Sequence, residues 1–279
     1  MILHPNAKIN LGLAVMRKRA DGYHDLQTIF LPVRELHDEL TVETLPADRA
    51  PEEGYTFRQE GITVDCPPEQ NLIIRAYLTM RAHYPQVGPV SILFRKNIPF
   101  GAGLGGGSAD AAFMAKAVNE LFRLGLTDEQ LEAEVSPLGA DCAFFIKNRP
   151  QYAEGIGNIF SPAPEAVMAQ LEGRWLVLIK PECAVSTGQA YRGIRRREED
   201  GREGIVGQTD LSLLTNDFED TVFPLFPEIA ALKEALLSRG AIYAAMSGSG
   251  ATVFGIFSEE QQGLEEAFPG CFVHQEKLA

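Results

Sequence analysis

Residues 101–107 hold five glycines in seven positions, and the chain turns helix-favouring directly after them. Glycine at this density lets the backbone take φ > 0 and lets a ligand approach without meeting Cβ atoms. Ser108 and Asp110 are placed to cap the helix that follows, whose apolar residues Met114, Val118 and Phe122, with Phe113, Ala117 and Leu121, recur at helical spacing. A glycine loop running into a helix N-terminus offers free N–H groups and a partial positive charge, which suits a phosphate. Two other readings compete with a phosphate cradle. One is a flexible turn. The other is a dinucleotide fingerprint, because Gly101, Gly103 and Gly106 fit G-x-G-x-x-G. The strand-like residues 90–94 are separated from the glycines by Arg95-Lys96-Asn97-Ile98-Pro99 and Phe100, so the tight strand-to-helix turn of that fingerprint is missing. No Gly-Lys-Ser/Thr follows, which removes a Walker A loop. A phosphate cradle of another nucleotide-binding fold leads.

Three further places hold residues able to do chemistry. Asp141 heads the apolar run 142–146, where a carboxylate is either a cap or has a chemical task. Lys8 sits in an alternating stretch with Asn6 and Asn10, and on its own reads as a solvated charge on a strand. Residues 17–24 form a basic patch closed by an Asp21-Gly22 turn. Tyr23 and His24 beside it are either a solvated hairpin tip or an aromatic face for a ligand.

Composition narrows the classes. A net charge of −13 argues against nucleic acid and an anionic membrane as partners, though not against a small anion held locally. Hydrophobic content of 45% is ordinary for a soluble globular protein. Cys66, Cys142, Cys183 and Cys271 show no C-x-x-C and no ligand-like pairing with histidine, as expected of free thiols in a reducing cytoplasm. No signal-like or membrane-spanning apolar run is present.

The elements that must position these residues follow from periodicity and punctuation. Residues 1–15 read as a strand with one buried face, and 26–33, 40–43, 55–57, 62–64 and 90–94 as further strands. Asn71 is placed to cap a helix over 72–83. Thr127 and Gln130 form a capping box opening a helix to Val135. Residues 152–164 are rich in glycine and proline, so a division into domains 1–153 and 154–279 is expected there. Beyond it come a strand at 175–180, a charged loop at 192–207 and a helix at 228–239 stopped by Gly240. Strands at 241–246 and 251–257 flank Ser247-Gly248-Ser249-Gly250. A second capping box, Ser258 with Gln261, is expected to open a helix to Phe268, before a last strand at 271–275. The order β-α-β-β-α-β is the ferredoxin-like, split βαβ arrangement.

Together, Pro5-Asn6-Ala7-Lys8-Ile9-Asn10-Leu11, the glycine loop over 99–112 and Met246-Ser247-Gly248-Ser249-Gly250-Ala251 resemble the three motifs of the GHMP small-molecule kinases. The resemblance runs nearly the full chain. Arg19-Ala20-Asp21-Gly22-Tyr23-His24, Leu138-Gly139-Ala140-Asp141 and Ala153-Glu154-Gly155-Ile156-Gly157 are similar to the branch of that family that uses 4-diphosphocytidyl-2-C-methyl-D-erythritol as acceptor. The resemblance implies a two-domain α+β fold, with an N-terminal α+β domain carrying a left-handed βαβ element and a ferredoxin-like C-terminal domain. It implies ATP-dependent phosphorylation of the acceptor's 2-hydroxyl in the non-mevalonate route to isoprenoid precursors.

Carried over residue by residue, the resemblance implies Asp141 as general base and Lys8 as electrostatic stabiliser within hydrogen-bond reach of it. Asn10 would orient substrate hydroxyls, Tyr23 stack on cytosine, His24 bond its edge and Thr187 donate a hydroxyl contact. For ATP, brought with Mg²⁺, it implies Asn71 and Lys96 beside the adenine. Pro99, Gly101, Gly103, Leu104, Gly105, Gly106, Gly107 and Ser108 would surround the phosphates. No metal-ligating residue is singled out. Ala102 and Ala109 stand where the family often has glycine and serine, and Ala109 is expected to remove a hydroxyl contact to phosphate. A non-catalytic nucleotide-binding relative is the alternative class, and it would be expected to have lost Lys8 or Asp141. A different small alcohol acceptor is the other alternative, disfavoured by Tyr23-His24. A monomer or a homodimer fits equally.

Overall fold

Alternating residues near the start suggest a strand with one covered face, yet strand β2 (Asn6–Lys18), which follows the short β1 (Ile2–Leu3), is buried over its first ten residues on both faces. A strand covered on both sides has no place for a solvated charge, so Lys8 is 3% exposed. The computed structural model describes residues 1–63, 66–201 and 203–278. It divides into two compact units, each discontinuous in sequence.

The first unit comprises Met1–Ala7, Val33–Phe100 and Gly105–Arg149. With β3 (His24–His37) preceding it in the chain, β4 (Glu39–Thr44) joins β5 (Tyr55–Gly61) and β6 (Val90–Lys96) in a sheet of order β1-β4-β6-β5. Strands β5 and β6 run parallel, so the chain between them must cross over, and helix α1 (Leu72–His83) is that crossover. Residues 55–57 and 62–64 are therefore not two strands. One strand ends at Gly61, and Val64 lies outside the described residues. Asn71 caps α1 as expected, accepting from the Ile73 N–H at 2.9 Å. Helix α2 (Gly106–Leu121) packs on α1. Helix α3 (Asp128–Val135) opens on the complete Thr127–Gln130 capping box, and α4 (Phe144–Lys147) closes the unit.

The second unit comprises Lys8–Pro32, Gly101–Leu104 and Pro150–Ala279. One sheet has the order β2-β3-β7-β8, in which β7 (Gln151–Glu154) and β8 (Ile159–Pro162) form a hairpin. The glycine- and proline-rich stretch is thus mostly hairpin, and Gly155 and Gly157 supply the positive φ its turn requires. The other sheet runs β10-β11-β9-β12, all antiparallel, from β9 (Trp175–Lys180), β10 (Tyr243–Met246), β11 (Val253–Phe257) and β12 (Phe272–Lys277). That order is the ferredoxin-like one. Short helix α5 (Thr187–Tyr191) follows β9.

Two expectations fail in this unit. Residues 192–207 are not simply a loop: they carry a short helix, α6 (Arg197–Asp200), whose buried Arg197 donates to Asp217 at 2.9 Å and to Thr215 Oγ1 at 2.7 Å. Helix α7 (Pro227–Ser238) is in its expected place, but α8 spans only Leu264–Ala267, with Gly263 before it. The Ser258–Gln261 capping box does not form. The Gln261 N–H is taken by the Gln275 side chain of β12 at 2.8 Å, and a donor held by a strand cannot close a helix cap.

Candidate active site

Helix α2 begins at Gly106, earlier than a Ser108 cap supposes. Its N-cap is Gly105 in the left-handed region at φ +70°, and neither Ser108 nor Asp110 caps it. Both lie inside the helix, and Asp110 turns toward Lys96 instead. The first intrahelical bond runs from the Ala109 N–H to the Gly105 carbonyl at 2.9 Å. The N–H groups of Gly106, Gly107 and Ser108 precede it and are the donors a phosphate would meet. Ala109 is fully buried, so a hydroxyl there would face the core and not a phosphate.

In the second unit the loop's preceding segment is held by a converging set of hydrogen bonds. The Lys8 ammonium donates to Asn10 Oδ1 at 2.6 Å and to the Gly103 carbonyl at 3.2 Å. Ser247 Oγ donates to the same carbonyl at 2.9 Å. The backbone N–H groups of Lys8 and Thr252 donate to the carbonyls of Leu104 and Ala102 at 2.9 and 3.2 Å. Glycine is required at 103, because φ is +74° and a Cβ would stand 2.1 Å from the Ser247 carbonyl oxygen. Asn10 gives its Nδ2 to Thr28 Oγ1 at 2.9 Å and its Oδ1 to Lys8, so both ends of its amide are engaged in orienting the lysine.

Within the first unit, an open groove of about 500 Å³, solvent at its mouth included, is lined by Asn71, Leu72, Phe94, Lys96, Phe100 and Gly107 among others. Phe100 stands 70% exposed. The Lys96 ammonium is buried between Asp38 and Asp110, at 2.5 and 2.9 Å. Burial opposes its charge, but the two carboxylates outweigh that and hold its pKa above the ordinary lysine value. Burial pushes the Asp110 carboxyl well up, with Lys96 opposing and Asp38 adding to the rise. Lys96 thus reaches the groove wall with its charge already matched. Asp38 carries no motif, and sequence reasoning passed over it.

Asp141, also in the first unit, lies half-buried in a turn after residues Ser136–Leu138 and before α4. Burial pushes the neighbouring Cys142 thiol up to about 12, with Ser108 opposing the rise. A Cβ on Gly139 would stand 3.2 Å from Cys142 Sγ and 3.6 Å from Ser108 Oγ, so the Asp141 turn lies against the first turn of α2. In the second unit Tyr23 is 62% exposed beside the Asp21-Gly22 turn. Arg17 and Arg19 are paired there with Asp21 and Asp25. His24 stacks on Tyr191 with ring centroids 4.7 Å apart. Desolvation, helped by Lys18 and Arg196, lowers the His24 pKa and favours the neutral imidazole. Thr187 opens the same short helix as Tyr191, with its hydroxyl 3.4 Å from Ser249 Oγ. Tyr191, four residues after Thr187, had no signal in the sequence beyond being aromatic.

A split-βαβ unit and a glycine loop opening a helix with free N–H donors define a class, and comparison with known proteins agrees. Residues 71–149 match the GHMP kinases N terminal domain and residues 202–271 the GHMP kinases C terminal domain. The chain belongs to the GHMP kinase family and is a small-molecule phosphotransferase. Within the family it is similar over its whole length to the 4-diphosphocytidyl-2-C-methyl-D-erythritol kinase of Bacteroides fragilis, at 48% identity with all of both chains covered. It is 36% identical to that of Symbiobacterium thermophilum, covering 94% of this chain and 93% of the other. A crystal structure of 4-(cytidine 5'-diphospho)-2C-methyl-D-erythritol kinase superposes with a TM-score of 0.77 at 30% identity, covering 99% of this chain and 98% of that one. Homoserine kinase from Cytophaga hutchinsonii, at 16% identity and a TM-score of 0.69, shares the fold. Among the described residues no helix is long and apolar enough to cross a membrane.

Proposed function

We propose that the chain transfers the γ-phosphoryl group of Mg·ATP to the 2-hydroxyl of 4-diphosphocytidyl-2-C-methyl-D-erythritol. The observation that carries the transfer is the start of α2, whose first N–H groups precede its first intrahelical bond, after a loop whose Gly103 carbonyl accepts from Lys8 and Ser247. Such a cradle favours a polyphosphate. The exposed Tyr23 and the His24–Tyr191 stack support a flat, polar base on the acceptor side.

Phosphoryl transfer needs alignment, removal of a proton and stabilisation of spread negative charge, with little covalent help. Asp141 is assigned the proton of the acceptor hydroxyl. Lys8 is assigned the charge on the transferring group, with Asn10 setting the ammonium's direction. Asn10 and Thr187 are also assigned to the acceptor's hydroxyls. Asn71, Lys96 and Pro99 are assigned to the nucleotide groove, and Gly101, Gly103, Leu104, Gly105, Gly106, Gly107 and Ser108 to the phosphates. Mg²⁺ arrives as part of the nucleotide substrate and neutralises phosphate oxygens. Among the described residues no group of three metal-ligating side chains converges. Four free cysteines support a reducing cytoplasm as the setting.

Incubation with Mg·ATP and the diphosphocytidyl acceptor, following ADP and phosphorylated product, tests the reading. Turnover in the parent should fall about 10²–10⁴-fold in Asp141→Asn, the usual span for a general base. Nucleotide binding without turnover would reject the acceptor. Undiminished turnover in the variant would reject the base.

A further inference from the structure

Asp38 lies outside every motif, is fully buried and ends β3's run into β4. Its two oxygens do different things. Oδ1 accepts from the N–H groups of Asn97 and Ile98 at 2.6 and 2.8 Å, fixing the turn that leads from β6 toward the glycine loop. Oδ2 accepts from Lys96 at 2.5 Å, and the same ammonium reaches Asp110 of α2 at 2.9 Å. A Cβ on Gly106 would stand 2.9 Å from Lys96 Nζ, so the ammonium abuts the first residue of the helix. Asn97 Nδ2 closes the set on the His37 carbonyl at 3.0 Å. One carboxylate therefore grips the approach to the glycine loop and, through Lys96, the helix on its far side.

We propose that Asp38 is a positioning residue for phosphoryl transfer, acting through Lys96 on the first turns of α2, and that Lys96 serves the nucleotide by this placement and not as a ligand to its phosphates. Two buried carboxylates around one buried ammonium are a poor arrangement if stability were its whole purpose, since apolar residues commonly do as well. What the cluster fixes is geometry, and an ångström of misplacement of a binding group can cost about 10²-fold in rate. The inference rests on the reading above that phosphates meet the N–H groups of α2.

Asp38→Asn keeps an oxygen for the two backbone N–H groups and removes the anionic acceptor from Lys96. The variant is expected to melt cooperatively, to lose about ten- to a hundred-fold in kcat/KM for ATP, and to keep the parent's KM for the acceptor. Adding Lys96→Met should lower kcat/KM for ATP no further, because both changes cut one linkage. A lysine that ligated phosphate directly would give the opposite result. Freed of one carboxylate, it would bind Mg·ATP more tightly in Asp38→Asn, and the double variant would show the product of two losses. Either outcome overturns the proposal. Should Asp38→Asn fail to fold, Asp110→Asn leaves an amide oxygen for Lys96. A loss under about tenfold confined to ATP is then expected, and tighter ATP binding overturns it. Calorimetric titration of the parent with Mg·ATP separates the two readings. No binding rejects the nucleotide reading and this inference with it. Binding in the parent that Asp38→Asn leaves unchanged rejects only the inference.

Discussion

Alanine at three glycines of the loop should give three different results, each set by what the new Cβ meets. At Gly101, φ is +62° and the nearest atom, Ala184 Cβ, is 3.9 Å away, so only backbone strain is added. That costs about 1–2 kcal/mol. At Gly103 the same strain is joined by a Cβ 2.1 Å from the Ser247 carbonyl oxygen and 3.1 Å from that of Gly250. The overlap involves backbone and cannot be relieved by a rotamer. Residue 103 must move, weakening the bonds its carbonyl receives from Lys8 and Ser247. With about 0.5–1.5 kcal/mol for a neutral bond and about 1.5–3 for a charged one, Gly103→Ala should lose about 3–6 kcal/mol in all. Gly107 is a helical residue without positive φ, and its Cβ would meet Leu72 Cδ1 at an ordinary 3.5 Å. Alanine there should be neutral or stabilising by up to about 1 kcal/mol, while, on the proposed function, its methyl crowds the N–H groups assigned to phosphate and raises KM for ATP. Urea unfolding paired with steady-state kinetics reads both quantities. Gly103→Ala within about 1 kcal/mol of Gly101→Ala would refute the reasoning, because the loop would then have room it does not show. So would a Gly107→Ala variant that loses stability while keeping its KM.

Further outcomes follow from single contacts. Asn71→Ala should cost about 1 kcal/mol through the lost cap on Ile73, readable as a lowered urea midpoint with unchanged slope. Arg197→Met takes the guanidinium from the buried Asp217 carboxylate, which keeps the Val15 N–H at 2.8 Å, so about 3–5 kcal/mol should be lost. The Asp217→Asn/Arg197→Met double variant should recover part of that, and full additivity would argue against a coupled pair. Lys116, whose amine donates to the Phe145 carbonyl, has its pKa brought down to about 8 by burial. Between that value and the unfolded lysine's, the unfolded chain binds the extra proton, so parent stability should rise with pH there relative to Lys116→Met. A difference that stays flat from pH 7 to 10 would count against the buried amine.

What could be read from the residues was what depends on near neighbours. Asn71 before α1 and Thr127 with Gln130 before α3 declare their caps within three residues. The ferredoxin-like order was legible because β9, β10 and β11 are bounded apolar runs. Misreadings arose where a distant partner wins. Asp110 has the spacing of a capping residue, but Lys96 fourteen positions away claims it, and Asp38 is farther still. Gln261 would complete a capping box had β12 not taken its N–H. Lys8 alone reads as a solvated charge, and only the folded strand shows Asn10, Gly103 and Phe30 around its ammonium.

The register of β3 on β7, with Thr28 opposite Ala153, has a consequence for how the protein is made. At about 5–20 residues per second on the ribosome, β7 emerges roughly ten seconds after β3. During that interval Ile29 and Phe30 wait on an open strand edge that the finished sheet covers completely. Ser247, which seats the Gly103 carbonyl, arrives later again. A nascent chain of this design exposes its stickiest edge early and finishes seating its glycine loop near the end of translation. Slowing synthesis in its second half should therefore increase aggregation before it alters anything the completed enzyme does.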